Sequence, residues 1–433
     1  MAPDSRVHVR VPYLRPLPAL RGLAAAVAVA LLALAPGRLA AQATTPRDSE
    51  PPRRDTTRTV PPRSRAWYER LSLRGYTQVR YNRLLETNAD LTCAQCDRSI
   101  GRNNGFFIRR ARLVVSGDVH PRVSIYIQPD LASDAGGQPH YAQLRDAYFD
   151  LFLDSAKTLR LRIGQSKIPF GFQNLQSSSN RLPLDRDDGL NSGLPNERDL
   201  GVMGYWSPPV ARQRFRILTD SGYKGSGDYG VVGVGLYNGQ TANRSEANNG
   251  QHAVLRVTYP FRLPNGQFVE AGVQGYSGRF VIPASQRATG VSAPSEFDDR
   301  RVAASLIVYP QPIGFQAEWN VGRGPSFTRQ GAPTIREESL TGGYAMLMLR
   351  TRPAGQVLTP YARGQYYDGG KKLDTDARHH RVRELEVGAE WLPFSAFELT
   401  ASYVAADRRT SDFAAPDARE KGRFLRLQAQ FNY

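Results

Sequence analysis

Hydrophobic and polar residues alternate with a period of two along most of the chain after Leu71. The last ten residues, FLRLQAQFNY, show the pattern most clearly. The apolar side chains that share one face there are Leu425, Leu427, Ala429, Phe431 and Tyr433. A period of two is typical of a β-strand whose two faces meet different surroundings. No segment after Leu71 shows the 3.6-residue period of an amphipathic helix, so an all-β protein is predicted.

The alternation recurs in sixteen segments, most of about ten residues, which is the length that a tilted strand needs to cross a bilayer. Short turns such as DVHPRV and LDSAKT join the segments at one end, and long loops join them at the other. This asymmetry and an even strand number predict a transmembrane antiparallel β-barrel with short periplasmic turns and long extracellular loops. The connection 207–228 is too long for a periplasmic turn, and a small extra hairpin is predicted there.

The chain before the alternating region has a different composition. Residues 1–43 combine a basic start, the apolar stretch GLAAAVAVALLALA and the small-x-small sequence AQA, which predicts a cleaved signal peptide. An uncleaved anchor is the alternative, but the apolar stretch is shorter than the roughly 20 residues of a spanning helix. Residues 44–66 are rich in Pro and Arg and predict a disordered linker, with contact to acidic surface polymers as the alternative. The barrel is then expected over 67–433, in the outer membrane of a Gram-negative-type bacterium.

The charge of the chain is strongly basic, with 57 Lys and Arg against 40 Asp and Glu. Such an excess favours an anionic partner without identifying it. Strand parity places Arg110 and Arg112 on the lumen side of GFFIRRARLVV. Arg109 has the opposite parity and is expected outside, near lipopolysaccharide phosphates; a local bulge is the alternative. The other arginines predicted to line the pore are Arg74, Arg80, Arg160, Arg162, Arg256 and Arg363.

Guanidinium groups in a lumen attract anions, and their N–H geometry matches phosphate oxygens. Selective conduction of anions is therefore favoured. Acidic residues with lumen parity offer the arginines an alternative role in ion pairs. These residues are Asp130, Asp146, Asp150, Glu384, Glu386 and Glu390. A weakly selective diffusion pore for small hydrophilic solutes is therefore the alternative function.

Four motifs, in order, carry a resemblance to a known family. FFIRRARLVVSG, LRDAYFDLF, LRLRIGQSKIPFGFQ and ERDLGVM resemble the phosphate-selective porins O and P, and the likeness extends over about 76–433. The resemblance implies a sixteen-stranded homotrimeric porin whose third long loop folds into the pore. It also implies an arginine ladder with a lysine at the constriction, through which inorganic phosphate or similar anions pass inward.

By position, the motif GQSKIPFG opens the third long loop. The resemblance therefore assigns the constriction lysine to Lys167, with an ordinary loop residue as the alternative. The chain departs from the family in lacking a clear amino-terminal coiled coil. Its third loop is also rich in acids, namely Asp185, Asp187, Asp188 and Glu197.

Cys93 and Cys96 form a CxxC pair in the first long loop. A loop disulfide is favoured over a redox pair or half of a metal site, because no His or second CxxC lies nearby. No catalytic motif stands out, so neither an enzyme nor a cofactor or metal is expected. Outer-membrane lipid and lipopolysaccharide are expected partners, and nucleic acid is not.

Two rival classes remain from the sequence. An outer-membrane hydrolase would need a catalytic cluster at the barrel wall or mouth. A soluble secreted β-protein that binds acidic polysaccharide would carry polar residues on both faces of some strands. Neither feature is recognisable in the sequence.

Overall fold

The computed structural model describes residues 66–85, 91, 105–135, 138–329 and 331–433. In this part of the chain, antiparallel strands close into a sixteen-stranded barrel, in which each strand pairs with its sequence neighbours and the first pairs with the last. The predicted strand number and architecture are confirmed. The predicted signal peptide (1–43), the linker up to residue 65 and the pair Cys93 and Cys96 lie outside the described residues.

The strands run up and down the barrel in sequence order. They are β1 (Leu71–Leu84), β2 (Gly105–His120), β3 (Val123–Ala135), β4 (Gln138–Phe152), β5 (Leu159–Lys167), β6 (Arg198–Trp206), β7 (Val232–Tyr237), β8 (His252–Arg262), β9 (Phe268–Phe280), β10 (Phe297–Val308), β11 (Ile313–Thr328), β12 (Thr334–Leu349), β13 (Val357–Gly370), β14 (His379–Phe394), β15 (Phe397–Ser411) and β16 (Ala418–Asn432).

The predicted alternation of faces is present in the barrel wall. Along β8, Val254 and Arg256 are buried inside, whereas Leu255 between them is 52% exposed on the outside. The same outward exposure of large apolar side chains recurs around the barrel at Val302 and Leu385. This outer apolar surface is the lipid-facing band of a transmembrane barrel.

Within the described ranges, three α-helices interrupt the strands: α1 (Phe172–Leu175), α2 (Asp188–Asn191) and α3 (Pro209–Asp220). The prediction of an extra hairpin at 207–228 is wrong, because α3 occupies that connection. Pro209 lies in the first turn, where its fixed φ favours a helix. One face of α3 buries Ala211, Phe215 and Leu218. Three apolar positions are too few to give a recognisable helical period in the sequence. No helix in the described ranges has the length and apolar character required to span a membrane.

Arg109 lies in a β-bulge between β1 and β2. Gln78 pairs with Arg110 and Val79 pairs with Ile108, so Arg109 is the extra residue. Its guanidinium Nη2 lies 3.5 Å from a carboxylate oxygen of Asp185, inside the barrel. The expectation that Arg109 faces outward is therefore wrong, and the alternative of a local bulge is confirmed, because a bulge re-aims the side chain.

The connection between β5 and β6, here called loop 3 (residues 168–197), lies within the barrel. It starts at the end of β5 and bonds to strands across the lumen from there: Arg301 of β10 donates to the Gly189 carbonyl at 3.0 Å, and Gln365 of β13 accepts from the Asp188 amide at 2.9 Å. Gly189 allows close contact with β12, since a Cβ there would lie 2.7 Å from the backbone of Gly342. Loop 3 therefore crosses the lumen and narrows it.

Candidate functional site

A group of arginines lines the lumen where β1, β2 and β16 face loop 3. We call it the arginine cluster, and its members are Arg80, Arg109, Arg110, Arg181 and Arg426. Strand parity directs Arg80, Arg110 and Arg426 inward, the bulge adds Arg109, and loop 3 supplies Arg181. The strand positions directly opposite the three inward arginines carry amide side chains rather than carboxylates. The cross-strand pairs are Arg80–Gln428, Arg110–Gln78 and Arg426–Asn82.

Asp185 of loop 3 lies among these arginines. Its Oδ2 lies 3.1 Å from Arg80 Nη1 and also pairs with Arg426, and its Oδ1 pairs with Arg109. Burial acts to raise the pKa of Asp185, but the attraction of Arg426 and Arg80 holds it well below its usual range. The carboxylate is therefore ionised, and it fastens loop 3 to the barrel wall.

Two members of the cluster have no carboxylate partner in the described part of the chain. Arg110 is 5% exposed and donates through Nη1 to Gln78 Oε1 at 2.8 Å, and its Nε has no acceptor. Arg181 donates to the carbonyls of Pro183 and Leu184, and its Nη1 has no acceptor. Buried N–H donors without acceptors are rare and costly, so these two groups are suited to a mobile anion.

Four of the other predicted pore-lining arginines are held in close ion pairs with carboxylates. The pairs are Arg112–Asp130 at 2.7 Å, Arg162–Asp150 at 2.8 Å, Arg256–Glu270 at 3.0 Å and Arg363–Glu386 at 2.6 Å. Pairs of this kind add little net charge to the lumen. Asp130 and Asp150 are thus partners of lumen arginines, as their parity indicated.

The two remaining predicted arginines have looser contacts. Arg160 lies 3.8 Å from Asp150 and 3.5 Å from Asp228. Arg74 is exposed, and its guanidinium carbon lies 5.8 Å from the centre of the Tyr126 ring. Neither group reaches the arginine cluster through a direct contact described in the structure.

Asp146 pairs with Arg198, which was not among the arginines predicted to line the pore. Its Oδ2 accepts from Arg198 Nε at 2.9 Å, and Arg198 also binds Glu197 at 2.9 Å. Burial acts to raise the pKa of Glu197, but Arg186 and Arg198 hold it below its usual range. The end of loop 3 is thereby tied to the wall through charged hydrogen bonds.

Lys167, the last residue of β5, is buried against loop 3. Its Nζ donates to the carbonyls of Leu175 and Gln176 at 2.7 and 2.8 Å. These contacts fold the first half of the loop back onto its origin. In this structure Lys167 holds loop 3 in shape, and both its role as constriction cation and the alternative of an ordinary loop residue stay predictions.

Glu318 of β11 anchors α1 from the opposite wall. Its two carboxylate oxygens accept the backbone N–H groups of Phe172 and Gln173, the latter at 2.8 Å, and Tyr344 donates its hydroxyl to the same group at 3.0 Å. Acceptors at a helix amino terminus satisfy donors that the helix itself leaves free. Glu318 therefore fixes where loop 3 begins its path across the lumen.

Asp187 is a buried acid of loop 3 with few partners. Its Oδ1 accepts from the Leu190 amide at 2.9 Å, whereas Oδ2 has no partner in the described structure. Burial raises the pKa of Asp187 to about 6. This carboxyl therefore changes charge within the range of ordinary environmental pH.

Some members of the site could have been found from the sequence and others could not. Arg426 shows lumen parity in FLRLQAQFNY, so the alternation carried a signal for it. Arg181, Arg186 and Arg198 lie in loop 3 or at its end, where no strand period extends to assign a direction. The prediction that the third loop narrows the pore agrees with the contacts of loop 3.

A closed sixteen-stranded barrel with a loop folded into a charged lumen defines the class of outer-membrane porins, which are channels rather than enzymes. The sequence model of the family described as phosphate-selective porin O and P matches residues 85–433, and the chain belongs to that family. It is thus a porin of the outer membrane. No curated protein matches the chain significantly.

Solved structures share the fold at low sequence identity. The outer membrane channel DcaP of Acinetobacter baumannii superposes with a TM-score of 0.51 and 13% identity, covering 84% of this chain and 97% of that one. OmpF of Salmonella typhi, in complex with daunomycin, gives a TM-score of 0.51 and 12% identity, with coverage of 84% and 97%. At these identities the comparison bears on the fold alone.

Proposed function

We propose that this porin conducts anions selectively, with inorganic phosphate or a phosphate-like anion as its substrate. The observation that carries the proposal is the pair of buried guanidinium groups, Arg110 and Arg181, without a carboxylate partner in the described structure. Both belong to a cluster in which further arginines converge on Asp185. The family description of phosphate-selective porins supports the choice of substrate.

In this proposal the arginine cluster acts as the attractive site along the path. Loop 3 narrows the lumen, so a passing anion is brought close to the wall formed by β1, β2 and β16. The positive potential raises the local anion concentration, and the unused N–H donors of Arg110 and Arg181 replace part of the hydration shell. Phosphate suits this site because guanidinium forks bind its oxygens two at a time. Conduction is passive, since the anion moves down its own gradient.

Weakly selective diffusion of small hydrophilic solutes is the second candidate function. It is favoured by the pairing of Arg112, Arg162, Arg256 and Arg363 with carboxylates, since paired charges cancel over a short distance. The two functions differ in whether the arginine cluster dominates the potential of the pore.

Planar-bilayer recording distinguishes them. The reversal potential across a potassium chloride gradient gives the ratio of anion to cation permeability, and added phosphate tests for block of chloride current. We expect anion preference and phosphate block in the native protein, and a several-fold loss of both in Arg110→Gln. Arg110→Lys keeps the charge and serves as the matched control. Equal permeability of chloride and potassium in the native protein would support the diffusion pore instead.

We also infer that the mature protein is a homotrimer that is exported by a cleaved signal peptide. Support comes from the family to which the chain belongs and from the amino-terminal sequence pattern. Amino-terminal sequencing of protein from outer membranes should begin at Thr44. Native mass spectrometry of the unheated protein should give the mass of three copies of the chain. The mass of a single copy would contradict this inference.

A further inference from the structure

A band of cations lies on the outer face of the barrel, away from the lumen. All of its members have outward strand parity and exposed side chains at the extracellular ends of β14, β15 and β16. We call this band the rim patch, and its members are Arg381, Arg383, Arg409, Arg419, Lys421 and Arg423. None of them takes part in the lumen site described above.

The strand register brings like charges of the rim patch side by side. Arg409 of β15 lies directly opposite Arg381 on one side and Arg419 on the other. Side chains directly opposite each other in antiparallel strands are about 5 Å apart at Cβ, and like charges there destabilise the sheet. Such a row therefore favours an anion that lies against it.

The carboxylates near the rim patch neutralise only part of its charge. Arg381 pairs with Asp368 at 2.9 Å, and Arg419 binds Asp407 with two hydrogen bonds of 3.0 and 2.7 Å. In the described part of the chain, Arg383 and Arg409 have no ion pair. The patch consequently keeps a net positive charge on the outside of the barrel.

The depth of the rim patch in the membrane follows from the aromatic residues around it. Arg383 lies directly opposite Tyr366, whose ring stacks on Trp319 with centroids 6.1 Å apart, and Trp391 lies eight residues further along β14. Eight residues extend about 27 Å along a strand, or about 20 Å of height at a tilt of about 40°. Aromatic residues flank the apolar band of a barrel at both interfaces. The rim patch therefore lies at the level of the outer-leaflet phosphates.

An apolar groove extends from the rim patch toward the middle of the membrane. Its volume is about 1200 Å³, and at the basic end its lining includes Arg383, Lys421 and Arg423 together with the acid Asp407, which binds Arg419. Small outward residues form its floor, and larger apolar side chains flank it. The floor consists of Ala304, Ala317, Ala345, Gly364 and Ala405, and the flanks are Trp319 and Leu385. The groove and the patch are thus one continuous surface.

We propose that this surface binds lipid A, the phosphorylated glycolipid of the outer leaflet, with its phosphates on the rim patch and an acyl chain in the groove. Charge complementarity and depth favour this occupant, because lipid A carries its phosphates at the height of the patch and its acyl chains below them. A second copy docked by the same face would bring identical cations together. The site is independent of the lumen and of the proposed anion selectivity.

The test uses the full-length mature porin in detergent and bisphosphorylated lipid A as the probe. Native mass spectrometry measures the apparent Kd for the native protein and for the double variant Arg383→Gln/Arg409→Gln. Because one arginine near a lipid surface contributes about a factor of five, we expect Kd to rise about twenty-five-fold. The matched control is Arg122→Gln/Arg262→Gln, which removes two exposed cations from the periplasmic end and should leave Kd unchanged.

Three results would overturn the proposal. Equal loss of affinity in both double variants would show nonspecific electrostatic adsorption. Equal binding of lipid A and its fully dephosphorylated form would exclude phosphate recognition. A change of oligomeric mass in the rim variant at unchanged lipid A affinity would assign the face to a second copy. Retained fast migration of the unheated variants on gels confirms that their barrels are folded.

Discussion

Two walls of the lumen carry inward arginines in contrasting surroundings. Between β8 and β9 Arg256 pairs with Glu270, and between β13 and β14 Arg363 pairs with Glu386. On the wall of β1, β2 and β16, several arginines converge on one loop carboxylate, Asp185. The same residue type with the same parity is therefore neutralised by a strand carboxylate in one group and gathered around a loop carboxylate in the other, although Arg112 on β2 is itself paired with Asp130.

The cause lies in whether the paired strand supplies a carboxylate. Arg363 faces Glu386 in the register of β13 and β14, so its counter-charge is part of the sheet. Arg80 faces Gln428 and Arg110 faces Gln78, and an amide can accept a hydrogen bond but cancels no charge. A carboxylate on the paired strand, directly opposite as Glu386 is to Arg363 or further along as Glu270 is to Arg256, therefore decides whether a lumen arginine is available to a passing anion.

Asp185→Asn should produce the largest change. The substitution removes the carboxylate shared by Arg80, Arg109 and Arg426 and keeps the size of the side chain. We expect phosphate to block chloride current at roughly tenfold lower concentration, because about 1.4 kcal/mol of competing attraction is lost. Asp150→Asn on β4 is the control for loss of any lumen carboxylate. If both variants shift block equally, the arginine cluster has no special role.

Glu318→Ala should loosen loop 3 without unfolding the barrel. The amides of Phe172 and Gln173 would lose their acceptors, and each buried unsatisfied donor costs about 1–3 kcal/mol. Trypsin should then cleave loop 3 several-fold faster, at Arg181 or Arg186, and single-channel conductance should rise. Glu318→Gln keeps one acceptor oxygen and should give an intermediate rate. An unchanged cleavage rate in Glu318→Ala would contradict the anchoring role.

Anion selectivity should fall about twofold as pH rises from about 5 to about 7, because loop 3 then carries one more negative charge inside the barrel. The cause is Asp187, whose pKa burial raises from 3.8 to about 6. Because the pKa of this carboxyl is higher in the folded loop than in the unfolded one, its protonated form stabilises the folded loop at low pH. This stabilisation of the loop is lost as pH rises from about 4 to about 6. Reversal potentials at the two pH values measure the effect. Asp187→Asn should abolish the pH step, and persistence of the step in that variant would assign it to another group.

The charge-neutral double variant Arg256→Gln/Glu270→Gln should have the smallest effect. Removing both members of a pair leaves the net charge of the lumen unchanged. We expect the same permeability ratio and phosphate block as in the native protein. A marked loss of anion selectivity in bilayer recordings would show that paired arginines also steer anions, and the contrast between the walls would no longer hold.

The sequence predicted the barrel well because alternation is a local property of each strand. The same parity placed Arg80, Arg110 and Arg112 inside before any strand was paired. Register is not local, so neither the bulge at Arg109 nor the amide opposite each arginine could be obtained from the alternation. Loop 3 has no period at all, which is why Asp185 was recognised as an acid but not as the partner of arginines on three strands.

Gly189 has a consequence for how the pore could widen. Because its contact with the backbone of β12 leaves no room for even a methyl group, α2 cannot slide gradually along the wall. It either remains seated or detaches together with its hydrogen bonds to Arg301 and Gln365. Current through a single channel is therefore expected to switch between discrete levels rather than to drift continuously.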